Sequence, residues 1–346
     1  MLNGKNILIT GGTGSFGKKC VQIISENYKP EKLIIFSRDE LKQFEMSQRW
    51  NIKKYPYIRY LLGDVRDKER VTHAFQNVDY IIHAAALKQV PAAEYNPAEF
   101  IKTNIIGSMN IIDAAICNDV QKVIALSTDK ACNPINMYGA TKLCSEKLFV
   151  AANSYKTMGR DKIFSVVRYG NVVGSRGSVV PFFKERVKTG VLPITDLRMT
   201  RFWITLDQAV YFVLKVFELA KGGETFVPKI PSMKIVDLAR AIGPDCKQEI
   251  VGIRPGEKIH ETLIGGDEGR YTREYNECYV IRQNYNEEKG SLSLENGGRP
   301  CLEDFSYDSY NNPVTISVEE LQEVLAKISD DYSIEKTRWS MEDVPQ

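Results

Sequence analysis

Between Leu126 and Lys142 the chain gathers side chains that can move protons. Leu126-Ser-Thr-Asp-Lys-Ala131 sets two hydroxyls, an acid and an ammonium in a row, and Tyr138-Gly-Ala-Thr-Lys142 follows a few residues later. Tyr138 and Lys142 are four apart, so on a helix they share one face, one turn from each other. A phenol beside an ammonium and a cationic cofactor has its phenolate favoured, so the Tyr138 pKa is expected to fall toward neutrality, fitting it to accept a hydroxyl proton. Asp129 and Lys130 add an acid and a base at one turn. The competing reading, an exposed loop pair neutralising itself, is disfavoured if the turn lies where a sheet carries its reacting groups.

Such groups need a strand end and a helix start held together beside a cofactor. The first half of the chain alternates β-branched runs at 6–10, 32–36, 58–62, 78–83, 122–126 and 163–168 with longer amphipathic stretches such as 98–118. Runs apolar at consecutive positions predict a parallel sheet covered on both faces by helices, a doubly wound α/β domain. Gly11, Gly14 and Gly17 fall after the first strand and before a helix, in Ile7-Leu-Ile-Thr-Gly-Gly-Thr-Gly-Ser-Phe-Gly17. That spacing lets the backbone turn tightly and approach a pyrophosphate with helix N-terminal amides aimed at it. An ordinary strand-helix turn competes, and the βαβ pattern beyond decides against it.

The second strand ends at Phe36-Ser-Arg-Asp-Glu40. Ser37 and Arg38 offer a hydroxyl and a guanidinium suited to a 2′-phosphate, which favours NADP; Asp39 on the ribose diol would instead indicate NAD. Asp64 and Val65 are expected beside the adenine, with Ala84, Ala85, Ala86 and Lys88 beside the nicotinamide ribose. Thr13, Ser15, Phe16, Lys42, Leu126, Ser127 and Val172, with Tyr138 and Lys142, complete the expected cofactor wall.

After Asn171 the pattern loosens. Gly, Pro and polar residues crowd 170–177 and 190–196, a helical stretch covers 205–221, and a turn follows at Arg254-Pro-Gly-Glu257. This predicts a dinucleotide-binding domain over 1–175 with a returning segment at about 203–230, and a smaller α/β substrate lobe from 176–202 and 231–330. Residues 285–312 read as a long surface loop, 317–328 as a last helix and 331–346 as a tail.

Composition is ordinary for a globular chain of 346 residues, 43% hydrophobic and 26% charged, with a net charge of +2 that argues for neither nucleic acid nor membrane attraction. Seven cysteines without a CxxC pair suggest a reducing, cytoplasmic setting, and three scattered histidines suggest no metal site. The apolar run at the N-terminus is too short for a signal peptide or a span, so the protein is expected to be soluble.

In combination these features resemble the extended, nucleotide-sugar-modifying branch of the short-chain dehydrogenase/reductase superfamily. Retaining 4,6-dehydratases of that branch carry Asp-Glu where this chain has Asp129-Lys130. With GGTGSFG, FSRDE, HAAALKQVP, STDKA, RYGNVVGSRGSV, PITD and RPGEKIHE, the sequence from about residue 3 to about 328 closely resembles the inverting UDP-N-acetylglucosamine (UDP-GlcNAc) 4,6-dehydratases of pseudaminic acid and related surface-sugar synthesis. Related capsule enzymes with Asp-Lys can lack the tyrosine of YxxxK, and this chain keeps Tyr138.

The resemblance implies C4 oxidation with Tyr138 accepting the hydroxyl proton, a neutral Lys130 removing the C5 proton, a protonated Asp129 releasing the 6-hydroxyl as water, and hydride return to C6. Thr128 would hold the reacting oxygen and Lys142 would assist Tyr138. Lys88, Lys130 and Tyr138 would also touch substrate. Asn171, Arg176, Ser178, Val179 and Val180 would serve its phosphates or sugar, Pro193 and Thr195 its uracil, and Arg201, Arg254 and Glu257 its diphosphate or ribose. A retaining dehydratase or a 4-epimerase of a UDP-sugar is the second reading. A homo-oligomer through helices around 98–118 and 138–156 is also implied.

Overall fold

The computed structural model describes residues 1–155, 162–174, 178–282 and 298–327. Six strands, β1 (Asn6–Thr10), β2 (Lys32–Ser37), β3 (Ile58–Leu62), β4 (Tyr80–His83), β5 (Lys122–Thr128) and β6 (Ile163–Tyr169), run parallel in the order β3-β2-β1-β4-β5-β6. The order reverses between β1 and β4, and in such sheets the crevice outside the carboxyl ends at that reversal receives the ligand.

Side chains alternate across the sheet, and both faces are buried. Leu8, Phe36, Val123 and Phe164 pack on one side with Ile111 of the helix Gly107–Cys117. Ile7, Ile9, Ile124 and Val167 pack on the other with Val21 of Ser15–Asn27 and Val213 of Leu206–Leu219. Two-sided burial is why these strands read as continuous apolar runs rather than alternating ones. Each such side chain contributes roughly 1.5–3 kcal/mol by leaving water.

Four more strands extend this sheet beyond β6. Glu224–Pro228 pairs in parallel with β6, and Cys278–Arg282, Thr272–Glu274 and Arg299–Pro300 follow antiparallel. The remaining strands form small sheets in which Thr200–Ile204 pairs with Ser232–Lys234 and Asn171–Val172, and Val191–Ile194 with Lys247–Ile250. Val180, Phe183, Leu192, Trp203 and Leu238 form their apolar centre, closed by Leu321 and Leu325 of the helix Val318–Lys327.

Two expectations change here. Of the stretch read as a loose loop, 298–312 is built into the fold, whereas 285–297 lies outside the described residues. Tyr307, in the short strand Tyr307–Asp308, buries its ring and donates its hydroxyl to Ile230 O at 2.8 Å, while Ile230 N donates back at 3.0 Å. Asn312 Nδ2 donates to the same carbonyl at 2.9 Å. One aromatic anchor among Gly, Asn and Asp residues is too sparse a signal for periodicity to detect. Secondly, 98–118 is not one regular helix: a π-helical turn, Ile101–Ile106, interrupts it. Such turns often mark functional positions, and this one carries Asn104 toward the site. No helix among the described residues is long and apolar enough to cross a membrane.

Candidate active site

At the carboxyl ends of β1, β2, β4 and β5 lies a cavity of ≈ 1220 Å³. Its cofactor end is shaped by glycines whose backbones need the space a Cβ would fill. Gly11 has φ +66°, and a Cβ there would stand 2.9 Å from the Ala85 backbone. A Cβ on Gly17 would meet Gly12 O at 2.3 Å, so this glycine allows the helix Ser15–Asn27 to pack against the turn. That helix has neither an acidic first turn nor a side-chain cap from Gly14, and its positive end faces the cavity. Every residue expected on the cofactor wall, from Gly11 to Val172, borders this cavity. Ser127 Oγ is buried there without a partner among the described residues. An open helix terminus, close-approach glycines and an orphaned hydroxyl fit a bound dinucleotide.

At the end of β2, Ser37 is buried and accepts from Gln43 Nε2 at 3.1 Å. Asp39 caps the next helix by accepting from Lys42 N at 3.0 Å, and pairs with Lys42 Nζ at 2.6 Å. Arg38 is half exposed and approaches Asp64 at 3.7 Å.

The end of β5 carries the proton-moving groups. The helix Met137–Ala151 starts at Asn136, whose side chain accepts from Gly139 N at 2.7 Å, a typical N-cap. Gly139 lets that helix touch the Asp129–Ala131 turn: a Cβ there would lie 2.1 Å from Lys130 O. Asn104 braces the same helix, donating to Thr141 Oγ1 at 3.0 Å and Leu87 O at 2.9 Å. Lys142 is buried and donates to Leu126 O at 2.7 Å. Thr128 Oγ1 donates to Asp129 Oδ1 at 2.8 Å, and its hydroxyl lies beside the Tyr138 phenol. Lys130 Nζ donates to the same Asp129 oxygen at 3.0 Å.

Electrostatics correct one protonation expectation and qualify another. Among the chain's own residues burial dominates and pushes the Tyr138 phenol up to about 12, with Lys130 and Thr128 opposing; the expected fall toward neutrality is for a site that also holds a cofactor's positive charge. Burial alone would pull the Lys130 ammonium down, but the Asp129 and Glu261 carboxylates outweigh it and raise its pKa, so the resting lysine is charged rather than neutral. Burial lifts the Asp129 carboxyl in the expected direction, and the pull of Lys130 only partly offsets that, so beside the charged lysine it is a carboxylate that takes up a proton readily. Desolvation brings Lys142 down to about 8, against the pull of Glu146.

On the remaining wall, Lys88, Asn171, Ser178, Val179, Pro193, Thr195, Arg201, Arg254 and Glu257 all border the cavity. Asn171 Oδ1 and Ser178 Oγ are buried with no partner among the described residues. Val180 does not border it: its side chain is buried with Phe183 and Leu192 in the lobe's apolar centre. Arg176 lies outside the described residues. Arg254 pairs with Glu257 at 3.1 Å. Arg201 is buried, with its Nη atoms donating to Thr200 O, Ile259 O and Lys258 O at 2.7–3.0 Å.

Two features escaped the sequence reading. Glu261 lies 3.1 Å from Lys130 Nζ and borders the cavity. It belongs to the RPGEKIHE stretch, but nothing in its spacing ties it to Asp129-Lys130. Beneath the site, Arg168 of β6 is fully buried between Glu146 of the Tyr138 helix at 2.6 Å and Glu268 at 2.8 Å.

A family model described as "Polysaccharide biosynthesis protein" matches residues 7–283. The chain belongs to this family. Among its relatives, UDP-N-acetylglucosamine 4,6-dehydratase (inverting) of Campylobacter jejuni is 56% identical over 94% of this chain and 98% of the relative. UDP-glucose 4-epimerase of Rickettsia conorii is 40% identical over 94% and 96%. Among solved structures, Pen from Bacillus thuringiensis superposes with a TM-score of 0.83 at 38% identity, covering 94% of this chain and 99% of that one. DesIV, a dTDP-glucose 4,6-dehydratase from Streptomyces venezuelae solved with NAD and DAU bound, shares the fold with a TM-score of 0.63 at 22% identity over 73% and 86%. The chain is thus similar both to a relative named for elimination and to one named for epimerisation.

Proposed function

We propose that this family member is a UDP-GlcNAc 4,6-dehydratase that inverts C5, yielding UDP-2-acetamido-2,6-dideoxy-β-L-arabino-hex-4-ulose. The reading rests on the acid and ammonium 3.0 Å apart at the end of β5, in one cavity with Tyr138 and Lys142. A 4-epimerase needs the hydroxyl, the phenol and the lysine of YxxxK, and leaves an adjacent acid and base with nothing to do. The 56% identity to the Campylobacter jejuni dehydratase supports the same choice.

A bound dinucleotide would supply the redox chemistry, accepting hydride from C4 and returning it to C6. Tyr138 takes the proton of the 4-hydroxyl while Thr128 holds that oxygen. The resulting ketone acidifies the hydrogen at C5. The resting pair already holds the one proton the elimination requires: its transfer from Lys130 Nζ to Asp129 Oδ1 makes a neutral amine and a carboxylic acid together. Lys130 then takes the C5 proton, Asp129 gives its proton to the departing 6-hydroxyl, and the pair returns to its charged form as water leaves. Reprotonation of C5 from the opposite face inverts that centre, and the proton taken by Tyr138 balances the one C5 receives.

NADP is favoured over NAD because Arg38 follows β2 and Lys42 lies in the first turn of the next helix, while Asp39, the carboxylate a ribose diol would use, is engaged as that helix's cap. Exposed Ile101, Ile106 and Met109 suit a homo-oligomeric contact, and the pathway reading is synthesis of pseudaminic acid or a related surface sugar in the cytoplasm. The test is incubation with UDP-GlcNAc in D2O followed by NMR. A 4-keto-6-deoxy product with deuterium at C5 and inverted configuration is expected; unchanged substrate, or a 4-epimer, defeats the reading.

A further inference from the structure

Glu261 is a buried carboxylate that the steps above do not use. It is 2% exposed, and its backbone is pinned by Ser309: Glu261 N donates to Ser309 Oγ at 2.9 Å and Ser309 N donates to Glu261 O at 2.8 Å. Its Oε1 lies 3.1 Å from Lys130 Nζ and 3.8 Å from Arg201 Nε, while Oε2 is buried without a hydrogen-bond partner among the described residues. A carboxylate placed only to neutralise Arg201 would adopt the bidentate geometry that a guanidinium offers. Here the shorter contact goes to the lysine.

We infer that Glu261 is a positioning residue for the elimination: it holds the Lys130 amine against Asp129 and sets which of the two carries their shared proton. This inference rests on the roles proposed for Asp129 and Lys130.

The charge pattern gives the direction of the effect. Lys130 faces Asp129, Glu261, Arg201, Lys88 and Tyr138, and Glu261 also faces Lys258. Arg201 is shared between Glu261 at 3.8 Å and Glu257 at 3.6 Å, and a proton moving between Asp129 and Lys130 leaves the charge of the cluster unchanged. A negative Glu261 stabilises the ammonium it touches, and favours the proton on nitrogen until substrate enters. It also opposes ionisation of Asp129, which limits the hold. Its own carboxyl is kept below the usual range, since Lys130 and Arg201 outweigh burial.

Glu261→Gln keeps the shape and an acceptor for Lys130 Nζ but removes the charge. The pH at which Lys130 loses its proton, read by competitive acetylation and mass spectrometry, is expected to fall by about one unit or more. The alkaline limb of the elimination rate, where the pair loses its one proton, should move down by the same amount, while C4 oxidation, read as nicotinamide reduction in a single turnover, keeps its pH profile. A merely structural role would lower stability or both rates and leave both pH midpoints in place, and that result overturns the inference. If the glutamine variant does not fold, Glu261→Asp withdraws the charge by one methylene and should shift the labelling midpoint part of the way; an unmoved midpoint overturns the inference equally. Should the wild-type protein make no 4-keto product, the proposed function fails, and the labelling midpoint still reports whether Glu261 governs Lys130.

Discussion

The two ends of the cavity are built by different means. At the cofactor end, the glycine turn after β1, Ser37 and Arg38 at the end of β2, and Ala84 to Ala86 after β4 each belong to or directly follow a strand end, so local sequence places them. At the proton-transfer end, Lys130 meets Glu261 and Arg201, which arrive from distant parts of the chain and are held by contacts such as Arg201 to Ile259 O. Binding geometry here is a property of turns, whereas protonation is a property of assembly. Damage at the first end should therefore act on affinity, and at the second on rate and pH dependence.

Lys130→Ala tests this division most severely. It should lower dehydration by about 10²–10⁴-fold in product formation followed by NMR, with cofactor content and nicotinamide reduction retained; full activity would remove the role proposed for Lys130. Arg168→Ala attacks the assembly beneath the site by leaving Glu146 and Glu268 buried without their cation. A loss of about 3–5 kcal/mol in denaturant unfolding is expected. Gly139→Ala pushes a methyl into Lys130 O and shifts the Asp129–Ala131 turn; a rate loss of about 10²-fold with little change in KM is expected.

A pH test separates burial from catalysis. Burial, and secondarily Lys142, lower the His83 pKa from its ordinary 6.5 to about 3, while Thr10 Oγ1 lies 2.8 Å from its Nδ1. A depressed folded-state pKa means the unfolded chain binds the extra proton. The stability contributed by His83 is therefore intact above pH 6.5 and declines as pH falls toward 3. The loss should be on the order of 1.4 kcal/mol per pH unit in urea titrations, and His83→Gln should flatten that dependence. The smallest expected effect is at the cofactor end: Arg38→Ala should lower the preference for NADP over NAD by about tenfold in binding titrations, the worth of one charge-assisted contact.

Much of this molecule could be read before its structure. Consecutive apolar runs located β1 to β6, and the Gly11-Gly14-Gly17 spacing with Tyr138 and Lys142 located the crevice, because period and spacing are properties of neighbouring residues. The strands beyond β6 were harder. Arg299–Pro300 and Tyr307–Asp308 are two residues each, and their place depends on partners such as Glu274 and Ile230. Val180 could not be told from Val179 by residue type; helix rotation turned one to the cavity and the other to the core.

The sequence alone determined the scaffold, the crevice and which side chains could transfer protons, since these follow from local patterns that survive in any context. Only the tertiary structure decided where the protons rest. Burial lifts Tyr138 among the chain's own residues, Lys130 is charged rather than neutral, and Glu261 enters the site, because a pKa in a buried cluster is the sum of desolvation and of charges that the chain brings together only by folding.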